Sequence, residues 1–237
     1  ALACVALVRL LSSGRDASPL ALPLALLSLD LFAMNAADAG GRLTGGPEWI
    51  WLDSVTASLL APLALQFVLA FTGRRRALRL PLLAAWSWYG ALALASAAAF
   101  LGLRDAQDFA GSPAWALALG VGAAVVIPLA TRDLLLHLRA CPPERLRTLL
   151  VLGAFTLGAV GNIFDLLANV GLGAPRLGPF GTLLATLVLT ALVLRTGLLS
   201  PQLPWVLAGG AALASVLLAL LHLLAFQWLG GDATLFI

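Results

Sequence analysis

Lysine is missing from this 237-residue chain, in which all 14 basic residues are arginine. Without an ε-amino group no Schiff base can form, so a retinal-bound opsin is excluded despite a similar number of apolar runs. A phosphate-cradling G-x-x-x-x-G-K-[ST] loop is excluded for the same reason. Charge of either sign is scarce: 11% of residues are charged against 61% hydrophobic, and the mean hydropathy is +1.00. No soluble domain could hide that much apolar surface, which makes this an integral membrane protein. There are 2 cysteines and 2 histidines. Cys4 falls in an apolar run and Cys141 in a loop expected on the cytoplasmic side, so neither a disulfide nor a closed metal site follows. No HExxH pair and no G-x-S-x-G elbow occurs, and with them go the usual nucleophile and zinc chemistries; no catalysis and no cofactor are expected of this stretch. The formal charge of +3 and pI near 9.7 do not signal nucleic acid, because the arginines sit in short loops between apolar runs, where topology accounts for them.

What is present is best seen in PEWIWLDSVTASLLAPLALQFVLAFTGRRR, Pro47 to Arg76. Trp49 and Trp51 open it, about twenty mostly apolar residues follow, and Gly73 with Arg74, Arg75 and Arg76 stops it. A hydrocarbon core about 30 Å thick takes roughly twenty helical residues at about 1.5 Å each, so the segment is one complete crossing. Trp favours the membrane boundary and clustered Arg the cytoplasmic side, which gives the crossing a direction, outside to inside.

Gly, Pro and Arg punctuation divides the whole chain into eight such runs, roughly 1–12, 19–37, 49–72, 80–102, 114–137, 146–170, 178–198 and 204–228. The intervening loops, including AGGRLTGGPE and RDAQDFAGSP, are short. The expected architecture is all-α: a polytopic membrane bundle of seven helices, residues 1–199 with the first helix truncated, plus an eighth apolar segment in 200–237 with the start of a possible return. The chain opens ALACVALVRLL and ends DATLFI, and is expected to be part of something longer. With the N-terminus outside, eleven arginines fall on inner loops and ends: Arg9, Arg15, Arg74, Arg75, Arg76, Arg79, Arg132, Arg139, Arg145, Arg147 and Arg195. Three, Arg42, Arg104 and Arg176, fall outside with Asp38, Glu48, Asp105 and Asp108. This is the positive-inside distribution, with Arg74, Arg75, Arg76, Arg79, Arg145 and Arg147 as its main anchors.

Ionisable and amide groups inside apolar helices are costly, which makes each a candidate for function. Asp30 is the deepest acid of the second run. Asn162, Asp165 and Asn169 in GNIFDLLANVG are spaced three and four apart and share a helical face. Asp53 lies one turn into the third run, and Asn35 and Asp38 end the second. All are expected at a similar outer depth, where Asp30, Asn35, Asp53, Asn162, Asp165 and Asn169 could line a ligand cavity open to the outside. The alternative is structural: Asn bonds between helices, and Asp near an interface caps or pairs. Gly153, Ala154, Gly158 and Gly161 allow close approach of a neighbour, while Gly171, Gly173, Gly178 and Gly181 serve turns and packing. Pro62 and Pro128 lie where they could kink their helices, and Pro81 fits a first turn. At the inner side, Arg132 and Asp133 are adjacent and point apart on a helix, so each needs another partner or the headgroup region. His137, with Arg139 and Pro142 after it, is only a chance likeness to a phosphoacceptor box, since Leu138 follows it where that box has an acid. His222 and Gln227 lie in the last run, where a lone His is more often a packed hydrogen-bonding residue.

PLALQFVLAFTGRRR, with Pro at its middle and F-x-x-x-F-T-G-R at its inner end, resembles the third helix of the seven-helix membrane region at the N-terminus of some bacterial sensor histidine kinases. RLRTLLVLGAFTLGAVGNIFDLLANVGLGAPRLGPFGTLLATLVLTALVLRTGLL resembles that region's last two helices. The likeness covers about residues 19 to 199. It implies a sensory module of a bacterial inner membrane, a possible homodimer, coupled to a cytoplasmic kinase or nucleotide cyclase elsewhere in the full-length chain. It brings no ligand residues with it, and the apolar run after LSPQLPW departs from its pattern, which hands over to the cytoplasm after helix seven. The competing expectations are a small transporter or permease using the intramembrane Asp residues, and a lipid-modifying enzyme, which lacks a visible nucleophile and base.

Overall fold

The computed structural model describes residues 20–196, and these form helices and turns without a strand. The helices are α1 (Ala21–Thr44), α2 (Pro47–Phe71), α3 (Arg79–Ala97), a short α4 (Arg104–Phe109), α5 (Pro113–Ala140), α6 (Arg145–Asn169) and α7 (Gly178–Thr196). Of the eight expected crossings, six fall within the described residues. Five of these are long and apolar enough to cross a membrane, and α7 is apolar but shorter. The runs expected at 1–12 and 204–228, with Cys4, His222 and Gln227, lie outside the described residues.

Two boundaries differ from expectation. AGGRLTGGPE is not a loop in its first half, because α1 continues to Thr44. Gly40 is tolerated there because the indole of Trp49 lies against it, where a Cβ would collide with the ring. Thr44 Oγ1 donates to the Gly40 carbonyl at 2.9 Å and accepts from Trp49 Nε1 at 2.7 Å. The helix stops one residue later, at Gly45, whose φ of 68° is open to glycine at little cost; its N–H closes back on the Gly41 carbonyl. Gly46 and Pro47 at the first helical position then start α2. RDAQDFAGSP, read as a loop, contains α4; its end leads to Ser112, which caps α5 by accepting from the Trp115 N–H.

Helices α1 and α2 form one tight hairpin and α6 and α7 another. Helix α5 packs on both α2 and α6, α3 packs on α2 and α5, and α1 meets α7 only sparsely. The second hairpin is close because its glycines face each other: a Cβ on Gly161 would sit 2.8 Å from the Leu177 carbonyl, and one on Gly181 2.7 Å from that of Leu157. Gly153, by contrast, faces open space. The common core is apolar, with Leu24, Leu65, Leu69, Leu134 and Leu192 fully buried. Hydroxyls within it are satisfied along their own helices, Ser58 donating to the Ser54 carbonyl and Thr182 to that of Gly178. A membrane interior offers no water to do this instead.

Candidate functional site

A cavity of about 250 Å³ lies between the α1–α2 and α6–α7 hairpins, with α5 behind it. At the end of the bundle that holds the α1–α2 and α6–α7 turns its wall is polar. Asn35, Asp38, Arg42 and Asp53 come from the first hairpin, and Asn162, Asp165, Asn169 and Arg176 from the second and its turn. Deeper in, Leu31, Phe67, Val68, Val126, Val151 and Leu189 make the wall apolar.

Five of the six residues singled out as a ligand set therefore line one space: Asn35, Asp53, Asn162, Asp165 and Asn169. Asp30 is not in that wall. It is buried, at 6% exposure, and its Oδ2 meets no hydrogen-bond partner among the described residues. Several of the five also hold the fold together. Asn35 Nδ2 donates to the Leu31 carbonyl at 2.6 Å, and Asn162 Nδ2 to the Gly158 carbonyl at 2.8 Å, each turning back along its own helix. Asp165 Oδ1 accepts the Gly178 N–H at 2.8 Å. That carboxylate thus caps the first turn of α7, where unpaired N–H groups and the helix dipole favour negative charge. Asp53 differs, since no hydrogen bond reaches its carboxylate from the described residues.

Sequence reasoning set Arg42 and Arg176 aside as the minority arginines of one side, yet both stand at the cavity. Arg42 forks onto Asp38, Nη2 to Oδ2 at 3.0 Å and Nε to Oδ1 at 3.1 Å. The i, i+4 spacing was the available signal, hidden because this segment was read as a loop. Arg176 acts electrostatically on both Asp53 and Asp165 across the α6–α7 turn, and nothing in its local sequence marked it. Trp115 also borders the cavity, 3% exposed, with its Nε1 lacking an acceptor among the described residues.

At the opposite end, Asp133 on α5 is 1% exposed and holds the α2–α3 turn. Its Oδ1 accepts from Arg74 Nη1 and its Oδ2 from Thr72 Oγ1, both at 2.6 Å. Arg74 is thereby more than the topological anchor it was taken for, whereas Arg75, Arg76, Arg79 and Arg145 are exposed. The adjacent Arg132 points elsewhere and is exposed, as the helical geometry required. Beside this pair, His137 lies edge-on to Phe71 at 5.5 Å and 3.2 Å from Glu144 Oε2. No group of three or more His, Cys, Asp or Glu that could hold a metal ion occurs among the described residues.

The five long apolar helices fit a multi-pass membrane protein, all-helical among the described residues, with a cavity that is polar at one end and apolar at the other. No protein family, curated protein or solved structure matches the chain.

Proposed function

We propose that this chain is the membrane-embedded sensory module of a bacterial receptor, a seven-helix region with a further apolar segment after it. On this reading it lies in the inner membrane with its N-terminus outside. It has no catalysis of its own and drives a cytoplasmic output domain, a histidine kinase or a relative. The observation that carries the reading is the opposition of two ends. The polar cavity mouth is on the side poor in arginine, and the Arg74–Asp133 pair, with its carboxylate buried, is on the side rich in it. Helix α2 runs from one to the other, with Asp53 near its start and Thr72 and Arg74 just past its end. An occupant that shifts α2 against α5 would alter how the α2–α3 turn is held, and so bias a two-state packing that an output domain can read.

The competing transporter reading has one observation in its favour: the cavity reaches from Asp53 to Phe67 and Val68, well past the midpoint of α2. Spin labels on Arg75→Cys and Arg139→Cys, with Cys4 and Cys141 replaced by Ser, separate the two. In nanodiscs a sensor shows two distance populations at the arginine end whose ratio changes when the cavity is filled. An unchanged ratio removes the sensor reading. Uptake of a solute into sealed vesicles by the same protein establishes transport in its place.

A further inference from the structure

The contrast between the cavity's two ends specifies the shape and polarity of its occupant. Along α2 the wall runs from Asp53 to Val68, fifteen residues, or about 22 Å at the rise of a helix. A volume of about 250 Å³ drawn out over that length makes a shaft with room for one extended chain. Below the polar groups the shaft is lined mainly by Leu, Val, Ile, Phe and Ala side chains, which offer an occupant dispersion contacts, and the Tyr89 hydroxyl there donates to the Leu119 carbonyl.

The mouth is unevenly charged. Asp38, Asp53 and Asp165 face Arg42 and Arg176, three carboxylates against two guanidiniums. Arg42 is engaged by Asp38, and Asp165 by the first N–H of α7. Asp53 shares Arg176 with Asp165 and no hydrogen-bond donor reaches its carboxylate among the described residues, which leaves one carboxylate in excess in a wall where unbalanced charge is expensive. An acceptor without a donor among the described residues thus stands at the head of a largely apolar shaft.

We propose that the cavity binds a single-chain amphiphile whose head carries an ammonium group. The ammonium is held by Asp53, and the chain lies in the shaft toward Phe67 and Val68. This rests on the sensory reading only for its consequence; the binding itself stands on the cavity. Two sources supply such a molecule, a lysophospholipid with an ethanolamine head from the bilayer or a diffusible acyl ester of an amino alcohol from outside.

The test uses the full chain in nanodiscs and a set of probes sharing a dodecanoyl chain: dodecanoylcholine, dodecanoyl lysophosphatidylethanolamine, dodecanoate and monododecanoylglycerol. Each displaces a nitroxide-labelled alkylammonium, with empty nanodiscs as the blank. Saturable displacement at least tenfold better for the ammonium-bearing probes than for dodecanoate is expected, and Asp53→Asn reduces that ratio to below about threefold. Whichever of the lysolipid and the choline ester is the tighter identifies the source. In a series from ten to eighteen carbons, Ala64→Phe or Ala123→Phe, each plugging the shaft, lowers the longest chain accepted. Either variant counts once circular dichroism and a monodisperse profile show it folded. Displacement no greater than the blank, equal affinity for dodecanoate, or an unchanged ratio in Asp53→Asn overturns the proposal. Binding with no response from the spin labels at the arginine end removes the sensory reading and leaves the ligand class standing.

Discussion

Arg74 and Asp133 bring opposite charges together where α2, α3 and α5 meet, with the carboxylate buried and the guanidinium still in contact with solvent. Removing only the cation strands a buried carboxylate on Thr72. Arg74→Ala is expected to destabilise the fold by about 1–3 kcal/mol, less than for a fully buried pair because Arg74 is partly exposed. Adding Asp133→Asn to that variant recovers part of the loss, since the stranded charge is then gone; thermal unfolding of the three proteins in one detergent measures it. Asp30 presents the opposite case, a buried acid with an oxygen that has no hydrogen-bond partner among the described residues. Asp30→Asn is expected to leave the unfolding midpoint unchanged or raise it, and a fall would reveal a partner for the carboxylate. For Asp165 the cap on α7 predicts that alanine costs about 1–2 kcal/mol and asparagine, which keeps an acceptor, clearly less. At this scale the sequence marked which residues were costly to bury. It gave no partner for any of them, because Thr72 and Asp133 are 61 positions apart and Asp165 and Gly178 13.

The element most exposed to test is the α6–α7 hairpin. Its glycine contacts leave no space for a side chain, so Gly161→Val should push the helices apart and cost about 1–3 kcal/mol. The same packing supplies a positive control. A Cβ at Gly158 would lie 3.6 Å from that of Ala185, within the range that a disulfide spans. Gly158→Cys with Ala185→Cys, in a chain lacking Cys4 and Cys141, is expected to cross-link under mild oxidation. A shift in mobility on non-reducing gels, lost with reductant, reports it. The run of small residues on α6 was legible as a packing face, but which of them touches was not: Gly161 does and Gly153 does not. Helix α1 shows the limit from the other side. Gly40 and Gly41 argue for a loop on intrinsic preference, and the helix runs through them because Trp49 from beyond the turn and Thr44 at the helix end hold it.

For the molecule as a whole, the arrangement of charge at its two ends makes a prediction about orientation. Reporters inserted after Arg76 and after Ala174 are expected to be active in the cytoplasm and outside it respectively; the reverse pattern would invert the topology proposed above. Composition, the length of the apolar runs and the placing of arginine came from the sequence alone. They could do so because crossing a bilayer is a local requirement: each helix must be about as long as the core is thick, whatever its neighbours do. The depth and spacing of Asp53, Asn162, Asp165 and Asn169 likewise placed these side chains at one level. Tertiary structure decided what that level encloses. It brought two hairpins to either side of one cavity, added Arg42, Arg176 and Trp115 to its wall, and left Asp30 out. It also turned one of the expected anchors, Arg74, into the partner of a buried acid. Side-chain pairing across helices depends on their rotation and separation, which are set by close packing of many residues at once, and no single stretch of sequence encodes them.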